Sequence, residues 1–150
     1  MGCGFRRLFG RIFCCHILNW NYQISGSSDV FLYGIVCYSN NSKIKFLNVN
    51  EETLGKHGAV SKQTVEEMLY GLNSQCSENF FGIAISGVAG PGKSEKKPVG
   101  NVFIGIIGNF CDLLIVKELN FGQLGREEIR MQTVRKALSL CLNQARLIKS

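Results

Sequence analysis

The chain has 150 residues, 45% hydrophobic and 19% charged, which suits one domain with a full apolar core and excludes disorder along its whole length. Its formal charge is +6, yet three of the 17 basic residues (Arg6, Arg7 and Arg11) sit in the acid-free first 28 positions, leaving 14 against 11 acids elsewhere. The main body therefore has no basic stripe of the kind nucleic acid requires, and a nucleic-acid or membrane-surface role would rest on the first twelve residues alone.

Phe5, Leu8, Phe9, Ile12, Phe13 and His16 recur at steps of three and four, which predicts an amphipathic helix within residues 5–20. No apolar run reaches the roughly 18 residues of a membrane span. Arg11 breaks the one stretch that looks like a signal peptide, and no small-residue cleavage site follows it. Arg6 occupies the position where myristoylation of Gly2 wants Ser or Thr.

A polar turn ends in Gly26-Ser27-Ser28. Val30 to Tyr38 follows, rich in β-branched and aromatic residues, and reads as a strand stopped by Ser39-Asn40-Asn41. Lys43 to Val49 fits either a helical or an extended segment. Ser61 is a suitable N-cap for a helix from Lys62 to Leu72, with Val65, Met68, Leu69 and Leu72 on its apolar side. Phe80 to Ile85 is a continuous apolar run, the mark of a strand covered on both faces. Asn101 to Ile107 and Leu113 to Asn120 read as strands of an antiparallel hairpin. A helix from Arg126 to about Leu147 closes the series, with Ile129, Val134, Leu138, Cys141, Leu142 and Ala145 on one face. Glu127 and Glu128 lie in its first turn, where the helix dipole favours carboxylates. Strands separated by helices, with one hairpin, predict an α/β fold with a mixed sheet.

The seven cysteines are Cys3, Cys14, Cys15, Cys37, Cys76, Cys111 and Cys141, an odd set with no CxxC pair. Reduced, partly buried thiols are the expectation, which favours the cytoplasm. His16 and His57 stand apart from each other and from any cluster of metal ligands.

Chemistry has three candidate locations. Ser86-Gly87-Val88-Ala89-Gly90-Pro91-Gly92 follows a buried strand, and ligands of open α/β sheets collect at the carboxyl ends of strands. The loop matches neither the P-loop nor the GxGxxG pattern, and a tight structural turn explains it equally well. Lys93, Lys96 and Lys97 read as a solvated loop edge. The second location is Ser28 with Lys43: a serine hydroxyl needs a base, and a lysine can serve if apolar surroundings lower its pKa. Spacing alone makes these a turn residue and a surface lysine. The third is Arg126, whose forked donors suit a carboxylate or phosphate, or a plain ion pair with Glu127 or Glu128.

The segments GSSDVFLYGIVCYSNNSKIKFLNV, ETLGKHGAVS, ISGVAGPGKSEKKPVGNVFIGI and GREEIRMQTVRKAL, in this order, resemble the CinA C-terminal (nicotinamide-nucleotide amidohydrolase) family over about residues 24–147. The SGxAGP…KPVG stretch is the most distinctive. The resemblance implies a three-layer α/β/α domain over residues 24–150, without metal or cofactor, often oligomeric. It also implies hydrolysis of nicotinamide mononucleotide to nicotinate mononucleotide and ammonia. By matching motifs, Ser28 would be the nucleophile and Lys43 its base. Tyr38 and Asn40 would shape the pocket, Arg126 would clamp substrate, and Ser86, Gly87, Gly90, Pro91, Gly92 and Gly100 would wall it. The partner implied is a small nucleotide, with no nucleic acid and no membrane.

Residues 1–23 depart from the family. An ESCTGG loop that supplies a supporting serine and oxyanion donors should fall near Gly10 to Cys15, where this chain reads GRIFCC. The helix and strand ahead of that loop have no evident counterpart. Divergence, truncation and an upstream frameshift all produce such a start. The glycine-rich loop is one residue short of the usual form, and Asn101 replaces a common threonine. The alternative to an enzyme is a catalytically impaired relative that binds a nucleotide or a protein partner.

Overall fold

The computed structural model describes residues 11–13, 31–77, 79–92 and 97–149. Strand β1 (Arg11–Phe13) precedes helices α1 (Asn40–Leu47), α2 (Glu51–His57) and α3 (Lys62–Ser74). Strands β2 (Phe80–Gly87), β3 (Asn101–Gly108) and β4 (Leu113–Asn120) follow, and α4 (Arg126–Lys149) ends the series.

The sheet has the order β1-β2-β3-β4. β1 runs parallel to β2, with Arg11 opposite Phe80, whereas β2, β3 and β4 are antiparallel neighbours. The expected mixed sheet and hairpin are thus present. Phe81, Ile83 and Ile85 point to one face, with Val102, Ile104 and Ile106 from β3, and α4 covers them through Ile129, Val134, Ala137, Cys141 and Ala145. Phe80, Ala84, Phe103 and Ile107 point to the other face, against Leu47, Leu54, Val65, Met68 and Leu69 of α1 to α3. Two apolar faces of one sheet, each covered by helices, make the three-layer α/β/α fold.

Local chemistry sets the helix starts. The Ser39 side chain accepts from the Ser42 amide at 3.0 Å, and the Ser61 side chain from the Thr64 amide at 3.2 Å, each satisfying an orphan donor of a first turn. The Asn50 cap of α2 is held from outside: Glu67 of α3 accepts from the Asn50 amide and the Thr53 hydroxyl at 2.8 and 2.6 Å. Asn48, at φ 52°, ends α1 in the left-handed conformation that asparagine tolerates. The segment left open between helix and strand is therefore helical.

Three expectations need correction. The helical stripe of residues 5–20 contains a strand at Arg11–Phe13, a region for which the sequence suggested no strand. Pairing of these three residues with β2 sets their conformation, which the spacing of apolar residues does not fix by itself. Residues 31–38 join no strand of the described sheet. Leu32, Tyr33, Ile35 and Cys37 instead pack side chains on the α1–α3 core, because β-branched and aromatic composition reports burial rather than ladder pairing. Finally, Leu138 and Leu142 are 36% and 44% exposed, so the buried stripe of α4 is narrower than the apolar one.

Among the described residues Cys37, Cys76, Cys111 and Cys141 stand outside any disulfide. Burial pushes Cys141 up to about 11 and raises Cys37 above its ordinary value. No helix of the described residues is long and apolar enough to cross a membrane.

Candidate active site

Lys43 lies in the first turns of α1, which Ser39 caps, and is only 6% exposed. Its amine donates to the carbonyl oxygens of Cys37 and Tyr38 at 3.0 and 3.4 Å. The lysine of α1 thus reaches back to the carbonyls just ahead of its own helix and lies buried. This is the reverse of the surface position that spacing alone suggests.

A cleft of about 260 Å³ opens above this amine, bounded by Cys37, Tyr38, Ala59, Val60, Ser86 and Gly87, with Arg126 and Arg130 at one side. Ser86 and Gly87 form the carboxyl end of β2, as expected of a ligand site in such a sheet. The Ser86 hydroxyl is spoken for: it donates to the Ala59 carbonyl at 2.7 Å and fixes the loop before α3 against the strand.

The glycine-rich loop leaves β2 and is pinned at both ends. Val88 donates to the Asn101 carbonyl at 2.9 Å, and Gly100 donates to the Val88 carbonyl at 2.8 Å. Gly100 has φ +87°, and a Cβ there would lie 2.7 Å from the Gly122 amide nitrogen, so glycine is needed. The Gly90–Pro91 peptide is cis. Arg126 reaches the loop: Nη1 donates to the Gly90 carbonyl at 2.8 Å, and Nη2 to the Tyr38 hydroxyl at 3.2 Å.

Lys43, Tyr38, Ser86, Gly87 and Arg126 therefore converge on one cleft, and Gly90 joins them through Arg126. Asn40 is exposed at the start of α1, and Asn40, Pro91, Gly92 and Gly100 stand outside the cleft lining. Ser28 and the GRIFCC loop fall outside the described residues, apart from the backbone of Arg11–Phe13. Lys97 turns away: its amine is 3.3 Å from the Glu118 carboxylate and 5.0 Å from the Phe103 ring centroid. Hydrogen bonds from Asn101 and Lys97 hold Glu118 below its ordinary carboxylate range. Sequence reasoning missed Arg130, although its place one turn after Arg126 was the available signal. No group of three or more potential metal ligands occurs among the described residues.

The architecture defines a class, a three-layer α/β domain with a cation-lined cleft at the end of a central strand. The family model for the CinA C-terminal domain matches residues 17–145, and the chain belongs to that family. It is 43% identical over 127 residues to a CinA-like protein of Prochlorococcus marinus, covering 84% of this chain and 29% of that one. It is 44% identical over 120 residues to a CinA-like protein of Endomicrobium trichonymphae, covering 79% and 27%. The chain thus spans less than a third of the length of these curated relatives. Among solved structures, the competence/damage inducible protein CihA from Agrobacterium tumefaciens superposes with a TM-score of 0.82 at 36% identity, covering 91% of this chain and 85% of that one. A competence or damage-inducible protein from Enterobacter asburiae, at 23% identity and a TM-score of 0.84, covers 92% and 89% and shares the fold.

Proposed function

We propose that this domain hydrolyses the carboxamide of nicotinamide mononucleotide, with Ser28 as nucleophile and Lys43 as its base. The observation that carries the reading is the withdrawal of the Lys43 amine from solvent on the floor of a ligand-sized cleft. A neutral amine has two N–H bonds and one lone pair. Donation to the Cys37 and Tyr38 carbonyls holds the amine in place beside the cleft, and its neutral form carries the lone pair a base requires.

In this mechanism Lys43 takes the Ser28 proton while the serine oxygen bonds to the carboxamide carbon. Backbone N–H groups hold the oxyanion, each worth roughly a hundred- to a thousandfold in rate. The lysine returns its proton to the carboxamide nitrogen, which leaves as ammonia as the C–N bond breaks, and water hydrolyses the acyl-enzyme to the free acid and restores the serine hydroxyl. Tyr38, Asn40, Arg126, the 86–92 turn and Gly100 are the supporting or substrate-side residues.

Purified protein should release ammonia from nicotinamide mononucleotide, and Ser28→Ala or Lys43→Ala should reduce release to background. A folded wild-type protein that releases none would overturn the proposal and favour an impaired relative that only binds.

A further inference from the structure

We infer that one exposed side of α4 is a self-pairing surface, through which two copies of this chain associate as antiparallel helices about a two-fold axis. The occupant is a second copy because the stripe on that side is complementary to its own reverse.

The stripe is Glu128, Met131, Arg135, Leu138, Leu142 and Arg146, at successive steps of three and four. Such steps keep residues on one side of a helix. It is not the side that faces the sheet, which belongs to Ile129, Val134, Ala137, Cys141 and Ala145. Met131 is half-buried and the other five are exposed, so two leucines of the stripe are left in water.

Glu128 and Arg146 lie equally far on either side of Ala137. A two-fold axis level with Ala137 therefore sets Glu128 against the partner's Arg146, Met131 against the partner's Leu142, and Arg135 against the partner's Leu138. Each pair occurs twice, as an isologous contact requires. Ion pairs then close both ends, methionine and leucine fill the space between, and the Arg135 stem covers a leucine while its guanidinium stays in water. A parallel two-fold pair would oppose Glu128 to Glu128 and Arg146 to Arg146, so charge selects the antiparallel orientation.

From Glu128 to Arg146 the contact runs about 27 Å along the helix. One helix pair of that length lies at the low end of specific interfaces, so association on the order of micromolar strength is expected. None of the six residues lines the Lys43 cleft, and the inference is independent of the proposed reaction.

Sedimentation equilibrium of the full chain tests it. Wild type should pass from 16.7 kDa toward twice that mass as concentration rises through the micromolar range. Leu138→Glu or Leu142→Glu puts a carboxylate from each copy inside the contact and should weaken association about tenfold or more. Glu128→Arg and Arg146→Glu should each weaken it about three- to thirtyfold, since two ion pairs become repulsive. The double variant exchanges the signs, re-forms both pairs and should recover the wild-type constant. Lys136→Glu, an exposed α4 position off the stripe, should stay within about twofold of wild type.

Circular dichroism checks that helix content is kept, and if a leucine variant loses it, the charge exchange decides. A mass of 16.7 kDa at every concentration overturns the inference. So do dimers undiminished in well-folded leucine variants, a double exchange no stronger than its single variants, or an equal loss in Lys136→Glu.

Discussion

Glycine-to-alanine exchange should have opposite signs in two neighbouring helices, and the difference is set by packing against α1. Gly71 lies inside α3, where an added Cβ would fall 2.6 Å from the Leu47 carbonyl carbon and 2.8 Å from Leu47 Cα, against 3.4 Å or more for ordinary contact. Both are backbone atoms of α1, so no rotamer change relieves the clash. Forcing an atom into such a contact costs about 2–3 kcal/mol, while replacing a mid-helix glycine returns about 1 kcal/mol. The expected net loss is about 1–2 kcal/mol, or a fall in Tm of roughly 3–6 °C for a domain of this size. Gly55 lies inside α2 with nothing within 4 Å of its added Cβ. There the propensity gain stands unopposed, and Gly55→Ala should stabilise by about 0.5–1 kcal/mol. Urea unfolding followed by circular dichroism measures both. Because α1 carries Lys43, Gly71→Ala should also lower any ammonia release more than its stability loss explains. Stabilisation by Gly71→Ala, or equal effects at the two positions, would refute the claim that backbone contact between α1 and α3 sets the limit.

Gly100→Ala should destabilise by about 1–3 kcal/mol, since φ +87° is costly for an alanine and the Gly122 backbone blocks its methyl group; thermal unfolding reads this directly. Cys141 predicts a pH effect. Its pKa is raised from an ordinary 9.0 to about 11 by burial, so the folded chain holds this proton more tightly than the unfolded one. The contribution to stability is therefore complete below pH 9 and is lost as pH climbs through about 11. The loss amounts to roughly 2–3 kcal/mol. Cys141→Ala should flatten the stability curve across that window relative to wild type, and parallel curves for the two proteins would contradict the assignment.

Much of this architecture is legible along the chain. Ser61 is a helix start that local donors and acceptors enforce, whereas Ser39, which reads as the stop of a strand, caps α1; the unbroken apolar run of β2 does mark a strand covered on both faces. The hairpin of β3 and β4 follows from two extended runs and a short turn. Residues 31–38 are harder, because their β-branched and aromatic composition serves a chain packed on helices as well as one paired in a sheet. The apolar stripe of α4 likewise includes Leu138 and Leu142, which the structure leaves exposed.

The site divides in the same way. The glycine-rich turn at the end of β2 and the order of the motifs are properties of the linear chain, and family membership rests on them. Spacing alone put Lys43 at the surface, whereas the folded chain buries it beneath the Cys37 and Tyr38 carbonyls. The hydrogen bonds of Arg126 to the Gly90 carbonyl and the Tyr38 hydroxyl are equally invisible in the linear chain, where its partners lie 36 and 88 residues away. Sequence by itself determined the elements whose hydrogen bonds close within a few residues. Tertiary structure decided burial, charge pairing and clearance, because those depend on groups such as Tyr38 and Arg126 that meet only when the chain has folded.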